Sequence, residues 1–150
     1  MRKAVITVQE NQISKSQIRE LDEIIRRNYR RYVSAEKLTT VWCRVPQGQM
    51  FTNYEESNSS LVTMECPEEF AQEQRIHMME ACEKEWLSVT QQHPDELMIA
   101  IIEPELMGTL MQSNRARLSS IGQKFLALNM MKALLKSRIF GSPMSFNPNL

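Results

Sequence analysis

The sequence predicts an α+β fold made of two strand–helix–strand repeats followed by a C-terminal amphipathic helix. The same order of strand-like and helical patterns occurs twice. Each returning strand also follows a short polar link that carries an acid, Ser34-Ala35-Glu36-Lys37 and His93-Pro94-Asp95-Glu96. Two similar units of this size indicate an internal duplication. We expect a single domain over 1–150, with the first repeat at about 2–45, the second at about 60–103 and a C-terminal extension at 104–150.

The first repeat begins with Lys3 to Val8, a short run of β-branched residues typical of a strand. Ser14 and Gln17 then form the S-x-x-Q pattern of a capping box, and apolar residues recur at helical spacing to about Val33. The second strand is predicted at Leu38 to Arg44, before Pro46 and Gly48. A crossover of this length makes the two strands parallel, with a right-handed connection.

The second repeat has a predicted strand at Leu61 to Glu65. Pro67 suits the first turn of a helix, and the acids Glu68 and Glu69 favour the same helix N-terminus. This helix is predicted to end near Gln91, before a nearly continuous apolar strand at Leu97 to Ile102.

The C-terminal extension contains an amphipathic helix predicted at Leu118 to Ile139, which Gly141 and Pro143 end. Packing, on its own domain or on a neighbouring subunit, is the favoured role of this basic helix. Lying on a membrane surface and binding nucleic acid are the alternatives. Met144 to Leu150 is predicted to be a loose tail.

Charge is segregated along the chain although 18 basic and 18 acidic residues cancel. Residues 1–44 carry +5, 45–105 carry −11 and 106–150 carry +6. Such a layout favours docking of one segment on another and argues against nucleic acid as a partner. No apolar run approaches a membrane span, and the N-terminus lacks a secretory pattern. We therefore expect a cytoplasmic protein without membrane association, with reduced thiols at Cys43, Cys66 and Cys82.

The sequence offers no motif for a metal or a cofactor, and we expect neither. The three cysteines form no C-x-x-C pair, and P-loop, G-x-G-x-x-G and G-x-S-x-G motifs are absent. Glu73, His77 and Glu80 share a helical face. They suit a metal site, but solvated pairing along the helix is the commoner arrangement.

The duplicated pattern and a turn of the form Pro46-x-Gly48-x-x-Phe51 resemble the tautomerase superfamily, in particular its cis-3-chloroacrylic acid dehalogenase-like branch. Ala4 to Val8, Ile13-Ser14, and Glu96 to Ile101 with Glu103 after them are similar to the corresponding segments of that branch. The resemblance covers about residues 2–118. It implies a four-stranded mixed sheet with two antiparallel helices on one face, assembled as a homotrimer.

The resemblance also implies a site at the start of the first strand, where the family has a catalytic N-terminal proline. That position falls on Arg2, so we expect Met1 to be retained and its amine to be displaced. The family's helical histidine falls on Tyr29. Its sheet tyrosine falls on Ala100, its water-activating glutamate falls near Met111, and its two arginines fall in the stretch from Cys66 to Ala71. These departures make dehalogenation doubtful.

Three functions stay open from the sequence. The first is keto–enol isomerisation of a small oxo or enol acid by an altered mechanism, with Met1, Arg2 and Tyr29 as catalytic candidates and with Arg2, Lys3 and Arg44 as substrate-binding candidates. The second is a pseudoenzyme, a non-catalytic trimer that binds a small anion such as a carboxylate. The third is a protein-interaction module that uses the C-terminal helix.

Overall fold

A computed structural model describes residues 2–147 and contains both predicted repeats. The first repeat is β1 (Arg2–Gln9), α1 (Lys15–Tyr32) and β2 (Leu38–Val45). The second is β5 (Ser60–Glu65), α2 (Gln72–Thr90) and β6 (Leu97–Ile102). Between them lies a small hairpin, β3 (Phe51–Thr52) and β4 (Glu55–Glu56). The C-terminal extension forms α3 (Pro104–Ala116), α4 (Ser120–Phe140) and β7 (Met144–Phe146).

The main sheet is mixed, with strand order β6-β5-β1-β2-β7. Within each repeat the strands are parallel, as predicted: Arg2 is opposite Leu38 in the first, and Ser60 is opposite Leu97 in the second. The two repeats are joined by antiparallel pairing of β1 with β5, in which Ala4 is opposite Met64. This pairing places the start of β1 beside the end of β5.

The core lies between the sheet and the two long helices. Every second residue of β1, among them Ala4, Ile6 and Val8, is buried in this layer. At its centre the indole rings of Trp42 and Trp86 stack with centroids 6.0 Å apart. The α+β fold and the placement of both helices on one face are therefore confirmed.

A buried ionic network fixes α1 to β2. The carboxylate of Asp22 accepts hydrogen bonds from Trp42 Nε1 at 3.0 Å and Arg26 Nε at 2.7 Å. The same guanidinium donates to the Leu38 carbonyl and, at 2.6 Å, to Thr40 Oγ1. Arg26 is thus part of the helix–sheet interface, whereas the basic run in which it stands, with Arg27, Arg30 and Arg31, is typical of a solvated helix face.

The start of α2 differs from the prediction. Pro67 lies in a separate turn, closed by a hydrogen bond from the Phe70 amide to the Pro67 carbonyl, and the helix begins only at Gln72. Arg75 holds this turn against the helix because its Nε donates to the Phe70 carbonyl at 3.0 Å. Glu68 and Glu69 are therefore outside the helix.

The sheet has a fifth strand that was not predicted. Residues 144–146 were expected to be a loose tail, but they pair in parallel with β2, with Val41 opposite Met144 and Cys43 opposite Phe146. The polar residues around this short segment concealed it. The helix α3 was also missed, although Pro104 occupies a first-turn position and Met107 is fully buried.

The apolar side of helix α4 does not pack on the rest of the chain within residues 2–147. The side turned toward the protein carries Asn129, Ala133 and Ser137, of which only Ala133 is buried. The apolar side faces outward, with exposures between 40% and 71%, and forms a continuous stripe that we term the outer stripe: Ile121, Phe125, Leu128, Leu135 and Ile139. No helix within residues 2–147 combines the length and apolar character that crossing a bilayer requires.

The Asp22 network generates a prediction about stability. Asp22→Ala should lower the free energy of unfolding by about 3 kcal/mol, because it leaves the guanidinium of Arg26 and the indole N–H of Trp42 without their acceptor. Urea unfolding measures the change. The neighbouring exposed residue Glu23 supplies the control, since Glu23→Ala should cost less than about 0.5 kcal/mol. Equal losses in the two variants would contradict the network's role.

Candidate functional site

Four side chains from four elements meet where β1 begins, and we term them the N-terminal cluster: Arg2, Tyr29, Cys66 and Arg75. The antiparallel pairing of β1 with β5 brings Cys66, just after β5, to this position. Tyr29 reaches it from the last turns of α1, and Arg75 from the first turn of α2.

Tyr29 is fully buried. Burial raises the pKa of this phenol, while hydrogen bonding with the Ser34 side chain and the positive charge of Arg2 act against that rise. The net direction is upward, so the phenol is neutral at physiological pH and keeps its proton available for donation.

Cys66 is also fully buried. Burial raises the pKa of its thiol, and the nearby charges of Arg75 and Arg2 oppose the rise while Glu103 adds to it. The thiol therefore stays protonated and is a poor nucleophile. Both arginines are near enough to Cys66 to act on its thiol electrostatically.

Arg75 supplies a cation that the sequence analysis missed. Its guanidinium donates to Glu103 Oε1 at 2.6 Å and to the Ile101 carbonyl at 3.3 Å, and hydrogen bonding to Glu103 raises its pKa. The sequence did carry a signal, because Arg75 and Lys84 are the only basic residues in the acidic block 45–105. Predicting its role required knowing that α2 begins at Gln72 rather than near Pro67.

Two clefts of opposite charge flank the N-terminal cluster. Beside Arg2, whose Nε lies 3.4 Å from Glu36 Oε2, is a cleft of about 310 Å³ that we term the basic cleft. Beside Arg75 is a cleft of about 470 Å³ that we term the acidic cleft. The basic cleft is lined by Arg26, Arg30, Ala35, Glu36, Lys37 and Leu38, and the acidic cleft by Glu68, Glu103, Glu105, Leu106 and Thr109. An anion is therefore attracted on the Arg2 side and repelled on the other.

The predicted substrate-binding residues do not converge. Lys3 follows Arg2 on the strand and so points to the opposite face of the sheet, where its Nζ lies 3.8 Å from Glu65 Oε1. Arg44 is opposite Val8, at the other end of the β1–β2 pair from Arg2. The expectation of one cluster of these three cations was wrong, because parallel pairing places Arg44 six residues along the register from Leu38, the partner of Arg2.

Of the catalytic candidates, Arg2 and Tyr29 are brought together, while Met1 lies outside the described residues. Ala100 lies in β6 and Met111 in α3. Within residues 2–147 no group of three or more His, Cys, Asp or Glu side chains is arranged to hold a metal ion. His77 pairs along its helix, with its ring nitrogens 3.8 Å from Glu73 and 3.7 Å from Glu80.

Solved structures with the same fold identify the architecture. Pt0534 inactivated by 2-oxo-3-pentynoate superposes with a TM-score of 0.62 at 15% identity, covering 67% of this chain and 84% of that one. N1, a member of the cis-3-chloroacrylic acid dehalogenase family, gives 0.62 at 11% identity, covering 83% and 98%. A fused 4-OT symmetric trimer gives 0.60 at 7% identity, covering 67% and 84%.

These neighbours are tautomerase-superfamily proteins, so the resemblance expected from the sequence is confirmed at the level of fold. The sequence matches no protein-family model and no curated protein. At such identities the likeness extends to the fold alone, and the departures at Arg2 and Tyr29 have to be interpreted from their own surroundings.

The buried thiols generate a prediction about pH dependence. Burial, followed by the charge of Glu85, raises the pKa of Cys82 to about 12, and Cys82 is 3% exposed. Above about pH 9 the unfolded chain loses this proton while the folded protein keeps it, so stability should fall with rising pH. One such thiol contributes a slope of about 1.4 kcal/mol per pH unit.

Urea unfolding under reducing conditions, repeated between about pH 8 and pH 11, measures that slope. Cys82→Ala removes the titrating group and should flatten the curve by the contribution of one thiol. Parallel curves for the two proteins would contradict the assigned pKa.

Proposed function

We propose that this protein catalyses keto–enol isomerisation of a small oxo or enol acid at the N-terminal cluster, by a mechanism that does not use an N-terminal proline. The observation that carries the proposal is the neutral, buried phenol of Tyr29 beside the guanidinium of Arg2. Isomerisation needs a proton to leave carbon and a proton to reach oxygen, without a metal or an oxidant.

Tyr29 supplies the oxygen side of this chemistry. Its raised pKa keeps the phenol protonated, so the hydroxyl donates a hydrogen bond to a carbonyl oxygen that becomes an enolate. The Ser34 side chain lowers the pKa by hydrogen bonding, so it donates to the phenol oxygen and leaves the phenol proton for the substrate. Exclusion of water strengthens the interaction, because the residue is fully buried.

Arg2 supplies the positive charge. Its side chain is only 25% exposed and pairs with the more exposed Glu36 at the edge of the basic cleft. A substrate carboxylate entering this cleft can exchange with Glu36 on the guanidinium, in a bidentate arrangement. The acidic cleft on the Arg75 side excludes the same carboxylate.

We propose the α-amine of Met1, a catalytic candidate from the sequence, as the base. An α-amine with an ordinary pKa of about 7.7 to 8.0 is partly neutral near pH 7. It takes the proton from the carbon next to the carbonyl, the oxygen takes the proton of the Tyr29 hydroxyl, and exchange with solvent then restores both groups. Among the neighbours, Pt0534 is inactivated by a 2-oxo acid, 2-oxo-3-pentynoate, which supports an oxo acid as the substrate class.

Keto–enol exchange of phenylpyruvate tests the proposal. The protein should accelerate exchange over buffer, and Tyr29→Phe should reduce kcat by about a hundredfold through loss of the proton donor. Arg2→Gln should lower kcat/KM by about tenfold, mainly through KM, because a charge-assisted contact to the carboxylate is lost. Acetylation of the N-terminal amine should abolish exchange.

The matched control is Tyr32→Phe, which removes the hydroxyl of a tyrosine one turn further along α1. It should leave exchange unchanged. Tyr29→Phe removes only a hydroxyl and its contact with Ser34, so the variant should lose no more than about 1 kcal/mol of stability, and its loss of activity then reports on chemistry. Exchange no faster than buffer, or equal rates in the two variants, would rule out the isomerase and favour the non-catalytic alternatives.

We also propose that the protein is a homotrimer in which the outer stripe of α4 packs on a second copy. Exposed apolar stripes of this extent mark interfaces. The segment 106–150 carries six basic residues and no acid, whereas 45–105 carries thirteen acids, so a second copy offers the complementary charge. Fused 4-OT, which shares the fold, forms a symmetric trimer.

Light scattering after size-exclusion chromatography should give three times the chain mass of 17.5 kDa. The double variant Leu128→Asp, Leu135→Asp buries two carboxylates in the interface and should elute as a monomer. Tyr54→Asp, at a fully exposed hairpin position away from the stripe, is the control and should remain trimeric. A monomeric parent, or a double variant that stays trimeric, would contradict the assignment and favour a membrane or a different protein as the occupant of the stripe.

A further inference from the structure

A further cleft lies at the opposite end of β1 and β2 from the N-terminal cluster. It forms where the segment leading into β7 passes over the first turns of α1, and its volume is about 160 Å³. We term it the C-terminal cleft. The residues that line it are Lys15, Ile18, Arg19, Arg44, Ser142, Pro143 and Ser145.

Three cations and no acid line this cleft. Within residues 2–147 none of Lys15, Arg19 and Arg44 has an ion-pair partner. The adjoining groove carries Asp22 and Glu23, but Asp22 is held by Arg26 and Trp42. Like charges that converge without a counterion repel one another, and an anion placed among them relieves that repulsion.

Two polar atoms in the cleft wall are buried without a hydrogen-bond partner in the described residues. They are Arg44 Nε and Ser145 Oγ. Buried polar atoms in native proteins nearly always have partners, and an unpaired one marks a place where a ligand or an ion is expected. Arg44 Nε can only donate and the Ser145 hydroxyl can also donate, so an oxygen-rich acceptor can serve both.

The first turn of α1 adds to the positive potential. Lys15 is its first residue, and no acidic side chain lies in that turn. The positive end of the helix dipole therefore adds to the charges of Arg19 and Arg44.

We propose that the C-terminal cleft binds the dianion of a phosphate monoester. A phosphoryl group has two charges and several acceptor oxygens, which suits three cations with two nearby hydroxyls better than a single carboxylate does. The volume accommodates a phosphoryl group and a small substituent, and it is too small to enclose a nucleotide. The site uses none of the residues of the proposed isomerase, so either assignment can fail without the other.

Isothermal titration calorimetry with inorganic phosphate and with glycerol 3-phosphate, at constant ionic strength, tests the proposal. Saturable binding with a Kd below about 1 mM is expected, and Arg19→Gln and Arg44→Gln should each weaken it by about tenfold. Tighter binding of the ester identifies a phosphorylated metabolite as the ligand class, and tighter binding of inorganic phosphate identifies the free ion.

The control is Arg31→Gln, an exposed arginine at the other end of α1, which should leave the affinity unchanged. Arg19 is exposed, so its substitution leaves the fold intact even if Arg44→Gln disturbs the sheet edge. Phosphate should also raise the Tm of the parent and of Arg31→Gln, but not that of Arg19→Gln. Absence of saturable binding at about 10 mM phosphate, or the same affinity in Arg19→Gln and the parent, would overturn the proposal.

Discussion

The antiparallel pairing of β1 with β5 is the contact on which the remaining arrangement depends. Each repeat alone is a parallel pair of strands with one helix, and a single such unit cannot bury both faces of its apolar residues. Joining the repeats through Ala4 and Met64 makes one continuous sheet, and the two helices then cover it together. The same register carries the start of β1 to the end of β5, so Arg2, Tyr29, Cys66 and Arg75 become neighbours although they are widely separated in sequence.

The N-terminal cluster consists of two neutral groups and two cations, and none of these four side chains is a strong base. Burial keeps both the Tyr29 phenol and the Cys66 thiol neutral, and the cations Arg2 and Arg75 each have a carboxylate beside them. Such a site is electrostatically balanced until a ligand replaces one of those carboxylates. The exposed Glu36 is easier to displace than Glu103, which accepts a hydrogen bond from the mostly buried Arg75. Selectivity for an acid on the Arg2 side therefore follows from burial as well as from charge.

The sequence was sufficient for the repeated elements, because their signals are local. Both signals involve residues that are close together in the sequence: the capping box of Ser14 and Gln17, and the alternation of apolar residues in β1. Both occur in the structure. The wrong predictions concern elements that depend on contacts distant in sequence. Residues 144–146 form the strand β7 only because they pair with the edge of β2. The direction in which the apolar side of α4 faces also depends on such contacts. Tyr29 and Arg2 were found through the family resemblance. The role of Arg75 could be predicted only by knowing where α2 begins, and the separation of Arg44 from Arg2 only by applying the parallel register of β1 and β2.

The proposed function requires small oxo acids to bind at the end of the sheet where β1 begins. Backbone amide chemical shifts of ¹⁵N-labelled protein, followed during titration with phenylpyruvate, test it directly. Shifts concentrated at Arg2, Ser34, Glu36 and Cys66, and absent in Arg2→Gln, are the predicted result. Shifts confined to the C-terminal cleft around Arg44 and Ser145, or none at all, would contradict it.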